Sequence, residues 1–264
     1  MKYFKFWTKE SVKITVDGEV KEIHLIVGSN ESKADAAECA KMRAKIIETR
    51  IAGKSAHEEY EVAIKEHVAD IMDEKNVITV NRYGAEVLNT SQYTILDLDE
   101  YPVDFLDLFK PIRKLPKKER IVAKFHQKLA KYPELGSDFR IYETAKGVRI
   151  IGKKYVDPVG AGFFSLMKPF RVDWIYQMMC RKQECYRARL TPKPFRIHMK
   201  PIRIKSPLDC ETEAYLQWAK DYNYRSTAFS VVKLLETIGS DFSRDPVIRR
   251  HDEKCRMIYG NKLA

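Results

Sequence analysis

The chain has 264 residues, a length that suits one large domain or two small ones. Hydrophobic residues make up 44% of it, and its 14 Tyr, 12 Phe and 3 Trp argue against a disordered chain. The net charge of +11 attracts polyanions, although a basic protein without such a ligand would also fit the composition. Because no apolar run is long enough to span a bilayer and the N-terminal sequence is too charged for a secretory signal, we predict a cytoplasmic protein without a membrane partner.

The early part of the chain predicts helices and strands in mixed order. Alternating apolar residues predict a strand over 20–27, which ends at Gly28. Apolar residues at helical spacing predict helices over 35–51 and 60–72. A strand, a turn and a second strand follow over 76–88, and 92–98 is a short apolar strand.

The later part is equally mixed. A basic amphipathic helix is predicted over 117–132, after an apolar segment at 105–109. The remaining predicted elements are a hairpin with strands 139–142 and 148–151, a helix 172–181, strands 186–190 and 195–204, helices 211–222 and 226–238, and a polar tail from residue 241. In that tail, His251 and Asp252 lack the further ligands of a metal phosphohydrolase and are interpreted as a surface pair.

The order of these elements predicts the fold class. Strands and helices do not alternate strictly, so the fold is predicted to be α+β and not doubly wound. We see no internal repeat and no low-complexity linker. A single domain over 1–264 is the simplest division, with a possible N-terminal subdomain over 1–90 and a core over 91–240.

The cysteines do not predict a metal site. Their number is odd, no CxxC pair occurs, and no matching Cys/His pair follows the two closest ones. We predict free thiols that are buried or half-buried. They are Cys39, Cys180, Cys185, Cys210 and Cys255.

Two carboxylates at the end of the 92–98 strand form the sharpest local motif. Asp97 and Asp99 are two residues apart, so in a strand they point to the same side. Paired carboxylates repel each other unless a cation lies between them, and Mg²⁺ or Mn²⁺ would meet that need and leave positions for phosphates. The alternative is an exposed acidic strand end.

Two basic segments are candidates for phosphate binding. Thr144, Lys146 and Arg149 surround the predicted hairpin turn, and the alternative there is an ordinary polar turn. Between Cys185 and Leu208 the chain has no acidic residue, so we favour a ligand over partners elsewhere in the chain. The cations of that stretch are Arg187, Arg189, Lys193, Arg196, Lys200, Arg203 and Lys205. We expect Arg196, Lys200, Arg203 and Lys205 to contact a nucleic-acid backbone.

The order of these motifs resembles the archaeo-eukaryotic primase superfamily, the primase-polymerases. LDLD, with Asp97 and Asp99, resembles the family's first motif, ETAKGVRI its second, and Val172-Asp173 its third. RARLTPKP then follows, and through its RLTPKP part the chain also resembles a group of bacterial and phage proteins with that signature. The likeness covers residues 90 to 205.

The resemblance implies a fold and a function. It implies an antiparallel or mixed central sheet of the RRM-like palm type, flanked by helices. Asp97, Asp99 and Asp173 would hold Mg²⁺ or Mn²⁺ for nucleotidyl transfer, with nucleoside triphosphates and DNA or RNA as partners. Thr144, Lys146, Arg149, Arg187, Arg189 and Lys193 would hold the nucleotide's phosphates.

One position departs from the family pattern. Arg149 stands where the second motif of the family has a histidine, and an arginine cannot shuttle protons at neutral pH. The prediction is therefore a primase-polymerase-like nucleotidyl transferase that is either active or catalytically degenerate. The alternatives are a nucleic-acid-binding protein that keeps the fold without catalysis, and a metal-dependent nuclease.

Overall fold

The computed structural model describes residues 1–16, 18–53, 64–101 and 105–264. In chain order the first elements are β1 (Phe6–Val16), β2 (Glu19–Ser29), α1 (Lys33–Ile51), β3 (His67–Asp73), β4 (Asn76–Val80), β5 (Glu86–Thr90), β6 (Thr94–Leu98) and α2 (Lys117–Leu129). They are followed by β7 (Phe139–Thr144), β8 (Val148–Gly152), α3 (Phe163–Met167), α4 (Trp174–Gln183), β9 (Tyr186–Arg189), α5 (Glu213–Ser226), β10 (Phe229–Ser230), β11 (Val232–Ile238), α6 (Pro246–Lys254) and β12 (Lys262–Leu263). Six α-helices and several antiparallel sheets within these ranges confirm the predicted α+β class.

The N-terminal elements form a ribbon and a helix. β1 and β2 pair antiparallel along their whole lengths, and α1 packs against both. The side chain of Ser32 accepts a hydrogen bond from the backbone N–H of Asp35 and so caps the start of α1. The face of α1 that packs inward consists of small residues four apart, which let a helix approach a ribbon closely. These residues are Ala36, Ala40 and Ala44.

Two four-stranded antiparallel sheets make up the centre of the molecule. One has the order β3-β4-β5-β9, and the other has the order β11-β7-β8-β6. β8 is buried at every residue, so it forms the middle of the main hydrophobic core. Helix α2 covers this sheet with Ile121 and Phe125, in agreement with the predicted amphipathic helix.

The structure overturns three predicted elements. The helix predicted over 60–72 is a strand from His67 onward, and residues 60–63 lie outside the described ranges. The strand predicted over 195–204 is a short 3₁₀ helix, Pro194–Ile197, followed by an irregular segment. The segment 226–238, predicted as a helix, instead contains the strands β10 and β11. In each case only a few apolar residues define the pattern, and their spacing is compatible with both the helical and the strand periodicity.

The segment after residue 241 contains a helix that the sequence did not predict. α6 places Val247 and Ile248 in the main core, although most of its residues are polar. The cysteine prediction is confirmed, since all five thiols are free, four are buried and Cys39 is partly exposed. None of the described helices is long and apolar enough to cross a membrane.

Candidate functional site

The predicted motifs meet in a pocket of about 420 Å³ where the two four-stranded sheets approach each other. We call it the acidic–basic pocket. Its walls come from the end of β6, the β7–β8 hairpin, the start of α4, the end of β9 and the segment after β9. Carboxylates and cations line it side by side: Asp97, Asp99, Glu100 and Asp173, and Lys146, Arg149, Arg171, Arg189, Lys193 and Arg196, with Thr144, Val148 and Tyr176 between them.

Strand pairing places Arg149 beside Asp97. The two residues are directly opposite each other in the β6–β8 ladder, and Arg149 Nε donates a hydrogen bond to Asp97 Oδ1 at 2.9 Å. Only 2% of the Arg149 side chain is exposed, whereas 40% of the Asp97 side chain is. Burial lowers the pKa of Arg149, but the charge of Asp97, the hydrogen bond to it and other nearby groups together raise that pKa above its ordinary value. Arg149 therefore stays protonated.

A buried chain of polar residues holds Arg149 from its other side. Its Nη1 donates to the carbonyl oxygen of Arg189 at 2.9 Å. Nη1 also lies 3.2 Å from His251 Nε2, and because an arginine can only donate, a hydrogen bond there requires the neutral His251 ring with its proton on Nδ1. His251 Nδ1 is 2.9 Å from Asp252 Oδ1, and Asp252 accepts from Arg140 Nη2 at 2.9 Å.

The sequence interpretation of His251 and Asp252 as a surface pair is therefore wrong. His251 is fully buried, and Asp252 is 7% exposed. The partner Arg149 lies 102 positions away in the chain. The sequence signal for a buried helix face there is limited to a few apolar residues, Val247 and Ile248 among them, in an otherwise polar segment.

The hairpin turn approaches the end of β6 closely. A Cβ at Gly147 would collide with the backbone carbonyl of Leu98, so only glycine fits there without displacing β6. Thr144 Oγ1 accepts a hydrogen bond from the Gly147 N–H at 3.0 Å. The turn therefore brings the exposed side chain of Lys146 to the end of β6 that carries Asp99.

Asp173 lines the wall of the pocket that is formed by the start of α4. It precedes α4, and its Oδ1 accepts from the Tyr176 N–H at 2.8 Å, which caps the helix. Asp173 thus has a structural role that the sequence did not predict.

The three carboxylates predicted to hold a metal line the same pocket. In the part of the chain that the structure describes, no group of three or more His, Cys, Asp or Glu side chains is placed to hold a metal ion. Asp97, Asp99 and Asp173 line the same pocket, but Asp97 is paired with Arg149 and Asp173 caps a helix. An ion held by all three carboxylates would therefore require Asp97 and Asp173 to give up these partners.

Five cations of the pocket have no carboxylate within ion-pair distance among the described residues: Lys146, Arg171, Arg189, Lys193 and Arg196. The Nε of Arg189 is buried and has no hydrogen-bond partner there. Burial lowers the pKa of Lys193, and the nearby charges of Arg189, Arg196 and Lys146 lower it further. The pKa of Arg196 is lowered in the same way, by burial and then by Arg189. These cations repel one another, and a bound anion would relieve that repulsion.

Arg187 is placed differently from the prediction. It lies on the same side of β9 as Arg189, as its spacing predicts. However, its Nη2 is 2.6 Å from Glu66 Oε2, and it lines a neighbouring pocket instead of the acidic–basic pocket. For Arg187 the alternative of a partner elsewhere in the chain therefore holds, because Glu66 lies far away from it in sequence.

The cations further along are exposed. Lys200, Arg203 and Lys205 lie on the irregular segment after β9, and none forms an ion pair with another described residue. The carbonyl of Lys200 accepts from Trp218 Nε1 at 2.9 Å, and the N–H of Ile204 donates to the Arg82 carbonyl at 3.0 Å. The backbone of this segment is therefore fixed while its charged side chains face solvent.

Comparison of the chain with protein-family models, with curated proteins and with solved structures gives no match.

Proposed function

We propose that this protein binds the phosphates of a nucleotide or of a nucleic-acid strand in the acidic–basic pocket. The observation that carries the proposal is the convergence of Lys146, Arg189, Lys193 and Arg196 without carboxylate partners among the described residues. Arginine offers a planar fork of donors that matches phosphate oxygens, and lysine offers a point charge. Several cations in one pocket suit a ligand with more than one negative charge.

The order of the motifs supports a fold of the primase-polymerase palm type. The strand that ends in Asp97 and Asp99, the hairpin with Thr144 and Lys146, and the helix that begins after Asp173 all reach the same pocket. The basic strand β9 joins them with Arg189. This arrangement is what the resemblance implies for a site that holds a nucleoside triphosphate.

Calorimetry tests the proposal. The wild-type protein should bind inorganic tripolyphosphate, ATP and a short thymidine oligonucleotide in the presence of EDTA. Arg189→Ala or Lys193→Ala should each weaken binding by about 1.5–3 kcal/mol, the usual value of a hydrogen bond to a charged group. Lys131→Ala, which removes an exposed charge outside the pocket, is the matched control and should have little effect. Absence of binding to all three ligands would contradict the proposal.

Metal-dependent nucleotidyl transfer at the same pocket is the second candidate. The observation in its favour is that Asp97, Asp99 and Asp173 line the pocket that also holds the unpaired cations. A labelled primer with nucleotides and Mn²⁺ should then become longer, and a nuclease would make it shorter. Asp99→Asn is the variant to compare, because Asp99 makes no ion pair with a described residue and its loss should not perturb the fold. An unchanged primer with wild-type protein would leave binding as the function.

A further inference from the structure

An aromatic side chain stands exposed at the edge of the acidic–basic pocket. Phe195 is 61% exposed, although it lies between Lys193 and Arg196, which both line the pocket. The Lys193 Nζ is 6.0 Å from the centre of its ring, and the Arg196 Cζ is 5.8 Å away. Both distances are within the range of cation–π contact.

The backbone under this ring is rigid. Phe195 belongs to the 3₁₀ helix Pro194–Ile197, whose proline and isoleucine are buried. The N–H of Met199 donates to the Pro194 carbonyl at 2.9 Å, and the hydroxyl of Tyr222 donates to the Pro192 carbonyl at 2.5 Å. A large apolar ring is thus held exposed to water on a fixed support, and a ligand that covers it would gain the free energy of removing apolar surface from water.

We propose that Phe195 is a stacking platform for the nucleobase of the ligand whose phosphate the pocket binds. The inference rests on the proposed function and names the part of the ligand that the cations do not contact. A base is one sugar away from its phosphate, so a phosphate held by Lys193 and Arg196 leaves its own or a neighbouring base within reach of the ring. The two cations also draw the ligand backbone toward the ring.

The chemistry of stacking sets the class of ligand. Every base has a π face, so the platform accepts any base, but a base inside a duplex is already stacked on its neighbours. The site therefore takes single-stranded nucleic acid or a free nucleotide in preference to a duplex. Lys200, Arg203 and Lys205 continue from Phe195 as exposed cations along which a strand of phosphates would run.

The experiment compares two oligonucleotides with the same phosphates. One is a thymidine strand of about six nucleotides, and the other is an abasic strand of equal length. Wild-type protein should bind the thymidine strand roughly ten- to a hundredfold more tightly by fluorescence anisotropy, since one stacked base contributes about that factor. Phe195→Ala should bring the two affinities together by weakening binding of the thymidine strand alone. Phe195→Trp should keep the preference.

The controls separate this inference from the proposed function. Tyr224→Ala removes another exposed aromatic ring that does not line the pocket, and should leave the ratio of affinities unchanged. Wild-type protein that binds both strands equally would overturn the stacking role while the phosphate site stands. A preference that survives in Phe195→Ala would also overturn it. Wild-type protein that binds neither strand, nor tripolyphosphate, would overturn the proposed function itself.

Discussion

Arg149 occupies the position where a cation is required beside Asp97. Two carboxylates two residues apart on one strand edge repel each other, and the sequence left open what relieves that repulsion. In the structure a buried guanidinium lies against Asp97 at 2.9 Å and is itself held by the Arg189 carbonyl and His251. The protein thus supplies this positive charge from its own chain.

The role of Asp97 can be measured as stability. Asp97→Asn should lower the free energy of unfolding by about 1–3 kcal/mol, because it leaves the buried Arg149 charge without its counter-ion. Asp99→Asn is the matched control, since Asp99 is exposed and makes no ion pair within the described ranges, and its effect should be small. Urea unfolding in EDTA measures both. Equal effects of the two variants, or a gain in stability with Asp97→Asn, would contradict the role of Asp97 as the counter-ion of Arg149.

Lys193 should make phosphate binding dependent on pH. Burial and the neighbouring cations lower its pKa below the ordinary value of about 10.4. Its protonated form holds phosphate, so affinity for ATP should fall as pH rises above about 8 toward that ordinary value, a window in which the charge of the terminal phosphate changes little because the last pKa of a phosphate ester is about 6. In the same window the unfolded chain binds more protons than the folded one, so stability without ligand should rise with pH. Lys193→Arg keeps its positive charge over this window and should flatten the dependence of affinity on pH. An equal decline of affinity with pH in that variant would show that another group titrates.

At the scale of elements, the segment that follows β9 is the part built to follow a strand of phosphates. If Arg196, Lys200 and Arg203 each neutralise one phosphate, binding releases counter-ions and weakens as salt rises. Replacing all three with Ala should reduce the slope of log K against log salt by about 2 for single-stranded DNA, at about 0.7 for each phosphate. Anisotropy titrations with a thymidine oligonucleotide over a range of NaCl concentrations measure this slope.

The control for the salt experiment removes the same charge elsewhere. Lys9, Lys13 and Lys131 are exposed and lie away from the pocket lining, so their triple replacement should leave the slope nearly unchanged. An equal reduction by both triple variants would mean that net charge, and not this segment, attracts the nucleic acid.

Helices and strands whose apolar residues follow one clear periodicity were predictable from the sequence. Segments whose apolar residues fit two periodicities were not. The small and apolar residues of 35–51 predict α1 and the apolar run of 92–98 predicts β6, because each pattern fits a single period. The apolar residues of 226–238 fit both the helical and the strand periodicity. The segment forms a strand because β11 pairs with β7 in an antiparallel ladder. Strand pairing over a long separation has no local signal.

The residues of the pocket were partly predictable, because their local spacing carries a signal and their long-range partners do not. The spacing of Asp97 and Asp99, and of Arg187 and Arg189, indicates which side chains share a face of their strands. It does not indicate which of them already have partners. Glu66 pairs with Arg187 and His251 contacts Arg149, and both contacts depend on the folded chain alone.

At the scale of the whole molecule, α6 connects the two four-stranded sheets. On one side Arg250 pairs with Asp70 of β3 at 2.9 Å, and Lys254 pairs with Glu86 of β5 at 2.6 Å. On the other side His251 contacts Arg149 of β8. The acidic–basic pocket lies where these sheets approach each other, so a helix outside the pocket lining fixes its walls.

His251 should therefore affect both folding and ligand binding. His251→Ala removes a fully buried ring, leaves a cavity and takes away an acceptor from Arg149, so the free energy of unfolding should fall by about 2–4 kcal/mol. Tripolyphosphate should also bind more weakly at a temperature where the variant is folded, because Arg149 Nη1 links His251 to the backbone of Arg189. His251→Asn keeps an acceptor for Arg149 and should lose less of both, and Arg249→Ala on the exposed face of α6 should be nearly neutral. Urea unfolding measures the stability effect, and calorimetry measures the affinity effect. A lower free energy of unfolding with unchanged tripolyphosphate affinity would show that α6 supports the core without positioning the pocket.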